Sequence, residues 1–412
     1  MTSTDRSDTL ALLVAAALTA CGPASGDTAG ESDTDTDATA GDTDTTTVDT
    51  PTTGASDGPT GEPGDTDTET TGEAPPELVC AGASWATPIE PGEFLGVAVD
   101  SRGHAIGFGT SQTSLTFPDA LVVDVGPDGV PVHSIGAGAP GEYDSVSGGG
   151  VDGDDNVYAL VNEGFTTDDG LDTRFWLRKF DTGGALVGEL DLGTASQGLR
   201  PYDLAVAPDG SVVITSLDPV DHDVVTRRGP DFAVLWEVNA PALHVDAVNA
   251  AGTSVALRSR DGVVKLGADG QTEWDIDWPL WNPGAADIDD LGNVVVAGTA
   301  EDGAPLTVAR FDADGSLAWE TKFTLRNQYD EIANVAINSA GTVAVAGYTQ
   351  TDGWKAFALR LDAAGEIVEE HHCDEPESRG EAIALDEAGR MFLAGILFQD
   401  GAENMAYVAA FE

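Results

Sequence analysis

Residues 371–375, HHCDE, hold the densest set of metal-ligand and nucleophile types in the sequence. Two imidazoles, a thiol and two carboxylates are donors for a soft or borderline metal. Adjacent residues of a strand point to opposite faces, so His371 and His372 cannot both face one ion without a bend. The segment therefore reads as a solvated outer strand, and no metal site is assigned. A second pattern is the dipeptide YD, at Tyr143-Asp144, Tyr202-Asp203 and Tyr329-Asp330, with Arg200, Glu331 and Arg379 at related positions. Two chemistries fit it. The Asp side chains can brace a turn by accepting backbone N–H groups. Alternatively, Asp144, Arg200, Asp203, Asp330, Glu331 and Arg379 form an acidic rim that binds a small polar ligand or a cation. The sequence contains no GxSxG, HExxH or P-loop, and no catalytic residue is assigned.

VDGDDN at 151–156 has the crowded carboxylates of a calcium loop but lacks the Gly position and closing Glu of an EF-hand, so it reads as a solvated turn. Calcium is the one cofactor the sequence suggests, and none is identified. Of the three cysteines, Cys21, Cys80 and Cys373, no pair has CxxC spacing. Cys80 and Cys373 can bond in an oxidising compartment. The strand register read from the sequence puts them towards opposite ends of the outer strands of the seventh and sixth repeats, which weighs against a bond.

The formal net charge is -54, from 72 acidic and 18 basic residues. Residues 22–79 carry 15 acidic and no basic side chains, and from Cys80 onward 55 acidic and 17 basic remain, a balance of -38. Such a surface repels phosphate backbones, which excludes nucleic acid as a partner.

Residues 10–20, LALLVAAALTA, are too short an apolar run to span a bilayer and suit the core of a signal peptide. The run ends in LTAC at 18–21, which resembles the lipobox of bacterial lipoproteins. That resemblance implies cleavage before Cys21, acylation of Cys21, and, with Gly22 next, sorting to the outer membrane. The leading segment departs from the pattern, carrying Arg6 against Asp5 and Asp8. Residues 21–77 are Thr, Asp, Gly and Pro in low-complexity order, with no aromatic residue before Trp85. Such a composition cannot offset its ordering entropy, so a disordered acidic tether is expected, with a span of about 40 Å as a coil.

From residue 78 a phrase recurs: an apolar stretch, Asp or Asn, a turn ending in Gly, and a Val-rich stretch. It reads LAVAPDGSVVITS, AADIDDLGNVVVAG and NVAINSAGTVAVAG, and seven copies stand 40 to 55 residues apart. Each copy has a second half, a strand, a Gly-containing turn and another strand, and in LTVARFDADGSLAWETKF and VVKLGADGQTEWDID a Trp stands four residues after the Gly. Alternation and turn residues predict four antiparallel strands per copy. The period is that of propeller blades, and the chain is read as all-β, a seven-bladed β-propeller over 78–412. The last copy stops one strand short, while Trp85 stands as Trp319 does before its next copy, so the N-terminal strand is expected to complete the last blade. The repeats resemble those of secreted bacterial propellers of the SBBP or delta-60 type and, more distantly, NHL blades. The expected protein is a monomeric, lipid-anchored envelope module. It binds an unknown protein or small polar ligand, with an enzyme (a lyase or hydrolase at the channel mouth) as the alternative.

Overall fold

The computed structural model describes residues 78–412, apart from the connections at 113–117, 137–142, 168–169, 220–221, 240–242, 259–261, 279–281, 300–304, 327–329, 351–352 and 400–402. The leader, Cys21, the tether and Tyr329 lie outside the described residues. The strands form six antiparallel sheets: four of four strands, one of five and one of seven. The only helix among the described residues is the three-residue 3-10 turn Ala195–Gln197.

Two long sheets depart from the four-stranded rule, each for its own reason. The strand Trp85–Val99 runs for 15 residues and is shared. Its first half pairs with Met405–Phe411, Trp85 opposite Ala410, and its second half pairs with Ala105–Ser111, Val97 opposite Gly107. It thus closes one four-stranded set and opens another. The five-stranded sheet is a four-stranded set with the short strand Val79–Cys80 added on its outer edge. The innermost strands of the seven sets are the second half of Trp85–Val99, then Asp144–Val151, Arg200–Val206, Leu243–Val248, Asn282–Ile288, Glu331–Ile337 and Ser378–Leu385. Each lies against the next in that order, and the last lies against the first.

Burial explains the order. Each sheet has two apolar faces, and each core cluster is built from the facing sides of two consecutive sets. Val308 and Val295 of the fifth set pack with Val345 and Phe357 of the sixth. Phe94 and Leu121 of the first set pack in the same way with Phe392 and Val408 of the seventh. Successive residues of the middle strands, such as Val343 to Ala346, are fully buried, because both faces are covered.

The repeated Gly and Trp have one structural explanation. The indole of each fourth-strand Trp reaches the next set's turn. Trp319 Nε1 donates to Ala363 O at 3.0 Å, Trp274 to Ala313 O at 3.1 Å, and Trp236 to Ala268 O at 2.8 Å. Trp85 donates to Pro127 O at 2.9 Å, the equivalent bond from the seventh set to the first. The ring lies under the turn glycine: a Cβ on Gly315, whose φ is 84°, would stand 3.0 Å from the Trp274 ring. So Gly315 receives one indole, and Trp319, four residues on, delivers the next.

The scarce cations are used similarly. Arg227 Nη1 donates to Gly252 O at 3.0 Å, Lys265 Nζ to Ala313 O at 2.9 Å, and Arg360 Nη2 to Glu412 O at 2.7 Å. All three sit two residues before the turn that ends their strand and reach into the following set.

Cys80 and Cys373 are bonded. The register expected from the sequence is corrected here: Cys80 does not lie on the outer strand of the seventh set. It lies on the added strand of the sixth, directly opposite Cys373. The bond closes a loop of 293 residues. On a loop-closure model such a link contributes about 5 kcal/mol, the upper end of what disulfides deliver.

Candidate functional site

Every innermost strand carries a β-bulge. The extra residues are Leu95, Ser147, Tyr202, Asp246, Gly284, Ala333 and Glu381. In six strands the extra residue stands five places before the first residue of the turn, as Glu381 does before Asp386. In Leu243–Val248 it stands three places before Asn249, so Asp246 lies deeper. A bulge re-aims side chains and marks the places where a strand departs from its neighbours.

Two groups of side chains gather at the ends where the innermost strands begin. One spans the third and fourth sets. Tyr202 Oη donates to Asp223 Oδ1 at 2.8 Å, and the Tyr202 ring lies nearly parallel to His244, with centroids 5.9 Å apart. His244 Nε2 is 2.8 Å from Asp203 Oδ2, and its Nδ1 is 3.8 Å from Asp246 Oδ1. Burial opposes the imidazolium, but the charges of Asp246 and Asp203 overcome it and push His244 up to about 10. Burial pushes the Asp246 carboxyl up to about 7 despite the His244 charge.

The other group joins the sixth, seventh and first sets. The Arg379 guanidinium lies 4.2 Å over the Tyr348 ring and 5.2 Å over Trp354, whose ring meets Tyr348 edge-on at 5.1 Å. Arg379 Nε is 3.0 Å from Glu381 Oε1. Burial raises the carboxyl of Glu381 to about 7, with Arg379 pulling it down and Glu93 and Glu331 pushing it up. Burial raises Glu93 as well, and burial together with Glu331 holds the Tyr348 hydroxyl above the usual phenol range. One cation thus serves three carboxyls.

The sequence-predicted residues divide between these groups and plain structure. Asp203 belongs to the first group, and Arg379 and Glu331 to the second. Asp330 accepts the backbone N–H of Leu325 and of Arg326, each at 3.0 Å, which is turn-bracing chemistry. Asp144 and Arg200 open their innermost strands, and Asp144 is fully buried. The YD dipeptides are not equivalent. Asp144 and Asp330 stand two places before Val146 and Ile332, the residues preceding the bulge, whereas Asp203 directly follows its bulge residue Tyr202. His244, Asp246, Asp223, Glu93, Tyr348, Trp354 and Glu381 escape sequence reasoning. The signal that finds Asp246 and Glu381 is the bulge, visible only as a break in strand alternation.

At 371–375 the two imidazoles diverge. His371 stacks on Phe411 at 4.5 Å with Nδ1 at 3.0 Å from Ala81 O, while His372 Nε2 meets Glu370 at 2.7 Å. At 151–156, Asp152 caps its own turn through the N–H groups of Asp154 and Asn156.

No family model matches the sequence, and no curated protein matches it. Three solved structures are similar in fold. BamB from Moraxella catarrhalis is 12% identical, with 81% of this chain and 98% of that one covered, at a TM-score of 0.41. The C-terminal WD40 domain of Sif2 is 10% identical, with 79% and 98% covered, at 0.49. The β-propeller domain of Cps50 (Swd1) from Myceliophteria thermophila is 13% identical, with 79% and 98% covered, at 0.50. The four-stranded antiparallel sets and the likeness to that domain make the fold of residues 78–412 a β-propeller.

Proposed function

We propose that the chain is an exported protein anchored through a lipidated Cys21, whose residues 78–412 form a closed, seven-bladed propeller that serves as a binding module. The closed ring is supported by the circular order of strand contacts and by the Trp85–Val99 strand, which belongs to the last blade and the first at once. The lipid anchor is supported by the apolar run ending in LTAC.

The observation that carries the binding reading is the pair of charged, aromatic groups where the innermost strands begin. Asp246 and Glu381 are held there with their carboxyls raised to about 7 by burial. Carboxyls raised by burial cluster where ligands bind, and unlike Asp287, whose raised carboxyl accepts the Ile337 and Ile288 N–H groups, Glu381 faces an aromatic and cationic group. The same geometry serves the rival reading, an enzyme acting on a glycan or lactone, because a carboxyl titrating near 7 is a usable acid or base.

The full-length chain, offered as bait to a native envelope extract with calcium present or chelated, should retain a partner or ligand. The double variant Arg379→Ala/Glu381→Gln should lose at least tenfold of that retention while keeping its melting temperature. Equal retention by the variant rules the site out. Turnover of a glycan or lactone panel, lost in the same variant, replaces the binding reading with the enzyme. For the anchor, incorporation of an alkyne-labelled fatty acid should vanish in Cys21→Ser; unchanged labelling would refute it.

A further inference from the structure

We infer that the Cys80–Cys373 disulfide is a redox latch on the closing joint of the propeller: the joint seals the bond from reductant, and the bond, once reduced, frees the joint to open. The inference rests on the reading that the strand Trp85–Val99 closes the ring, and it names the device that controls that closure.

The bond lies inside the joint. Cys373 is fully buried and Cys80 is 8% exposed. Their core cluster joins Ala346, Ala356 and Ala358 of the sixth blade to Leu393, Tyr407 and Phe411 of the seventh. The strand Val79–Cys80 meets the sixth blade in only two residue pairs, so the covalent bond is its main attachment.

The crossing at 81–84 closes over the bond, and Ala83 packs against the same cluster. Ala81 N–H donates to His372 O of the sixth blade at 2.9 Å, and Ser84 N–H to Ala410 O of the seventh at 2.8 Å. The His371 ring stacks on Phe411 with centroids 4.5 Å apart and sets its Nδ1 3.0 Å from Ala81 O. Gly82, with φ of 82°, passes so close that a Cβ there would stand 2.7 Å from His371 Nδ1. The histidine of the HHCDE segment thus pins the crossing, and its cysteine carries the bond.

The crossing leads directly into the clasp at Trp85. Five residues of the Trp85–Val99 strand pair with Met405–Phe411, and two of them, Pro88 and Pro91, have no N–H to give. The remaining support comes from side chains reaching the first blade: Trp85 Nε1 on Pro127 O at 2.9 Å and Thr87 Oγ1 on Gly129 O at 2.8 Å. A ladder with missing donors opens locally at lower cost than the whole fold. The clasp is therefore the route by which a reductant reaches the sulfurs.

The reductant is a dithiol. Its thiolate attacks one cysteine sulfur and displaces the other as a thiolate, which takes up a proton. The second thiol of the reductant, on losing its proton, displaces the first cysteine, and the reductant leaves as a cyclic disulfide. Two electrons pass to the protein and two cysteine thiols result. The loop of 293 residues is then open, and only hydrogen bonds and packing hold the clasp.

The test is reduction of the full oxidised chain by dithiothreitol at pH 8 without denaturant, with alkylation of Cys373 followed by peptide mass. Two matched pairs of variants compare the clasp with joints that hold no disulfide. Trp85→Ala should speed reduction by about tenfold or more, and Trp274→Ala, which loses the equivalent indole bond between the fourth and fifth blades, by less than about twofold. The milder Thr87→Val should speed it about threefold, against no change in Thr321→Val, whose hydroxyl makes the same bond to Gly365 O. If Trp85→Ala does not fold, the threonine pair decides. Equal acceleration within a pair means that the bond is reached by unfolding of the whole chain, and no acceleration by the clasp variants means that it needs no opening there; either overturns the inference. In the reduced chain, amide exchange should rise about tenfold or more in Met405–Phe411 and less than about twofold in Val294–Thr299; unchanged exchange in Met405–Phe411 also overturns it. Removing residues 78–91 tests the closed ring separately. If that removal lowers the melting temperature while reduction ignores the clasp variants, the ring stands without the latch.

Discussion

The two ends of the blades are built on opposite principles. At the turn end the sets share a vocabulary. In most of them an Asp or Asn caps its own turn and a Gly takes positive φ; in four an indole reaches the next set's turn, and in three a cation donates to the next set's carbonyl. At the other end no two blades agree, and the residue at the bulge is Leu95, Ser147, Tyr202, Asp246, Gly284, Ala333 or Glu381. The comparison separates an end built from recurring turn and indole contacts from one where charged and aromatic side chains gather differently in each set.

The largest effect that could break this contrast comes from the clasp. Removing residues 78–91 deletes Cys80, the Trp85 indole and the whole pairing with Met405–Phe411. The shortened chain should melt at least 15 °C below its parent, or fail to fold; scanning calorimetry giving equal midpoints would remove the support for a closed ring. Next in size is Trp319→Ala, which opens a cavity under Gly365 and orphans Ala363 O. We expect a loss of about 3 kcal/mol in urea unfolding, against under 1 kcal/mol for Leu317→Ala on the exposed side of the same strand.

A smaller effect tests the Trp and Gly exchange at one of three places where the indole is missing, the residues four after Gly129, Gly184 and Gly365 being His133, Gly188 and Glu369. In the second blade the position four residues after the turn glycine is Gly188, not Trp. The missing ring comes from the other side: Phe232, in the third blade's turn, has a φ of 65° and stands 3.1 Å from where a Cβ on Gly188 would lie. Phe232→Gly should cost about 1 to 2 kcal/mol, the lost ring outweighing the relief of strain. Adding Gly188→Trp should restore part of that loss, because the pair then matches the other blades. A double variant weaker than Phe232→Gly alone would show that the exchange is not a matched pair.

These features also mark what could be read from the sequence. DADGSLAW announces itself because the turn end is held by local chemistry: the Asp314 carboxylate accepts the Ser316 N–H two residues on, and Gly315 stands where φ is positive. The N-terminal clasp was legible for the same reason, through Trp85. Asp155, with φ of 61°, replaces Gly in one turn without disturbing the spacing that reveals it. The variable end resisted because its contacts join residues far apart in sequence. His244 meets Asp203 across 41 positions, and Arg379 meets Tyr348 across 31. The YD dipeptides fall at unequal steps of their strands because a β-bulge inserts one residue. The cysteine register failed similarly, since nothing in residues 78–80 shows that they join the sixth blade rather than the seventh.

The central claim is that carboxyls are held against their preference at the variable end, and thermal stability against pH tests it most directly. Asp246 and Glu381 have folded values of about 7, above those of free carboxyls, chiefly through burial; Asp287, two places before the turn residue Asp289, shares that value and accepts the Ile337 N–H at 2.8 Å. The folded state therefore binds more protons than the unfolded state between about pH 4 and pH 7, and their contribution to stability is lost as pH rises through that window. His244, raised to about 10, contributes stability that is full below about pH 6.5 and lost as pH rises towards 10, so the signs agree. The account predicts that the wild-type melting temperature falls by roughly 5 °C or more between pH 5 and pH 8, and that Asp246→Asn/Glu381→Gln flattens much of that fall while melting higher at pH 8. A wild-type midpoint that is level or rising over the same interval, or a double variant with the same slope as its parent, would contradict it.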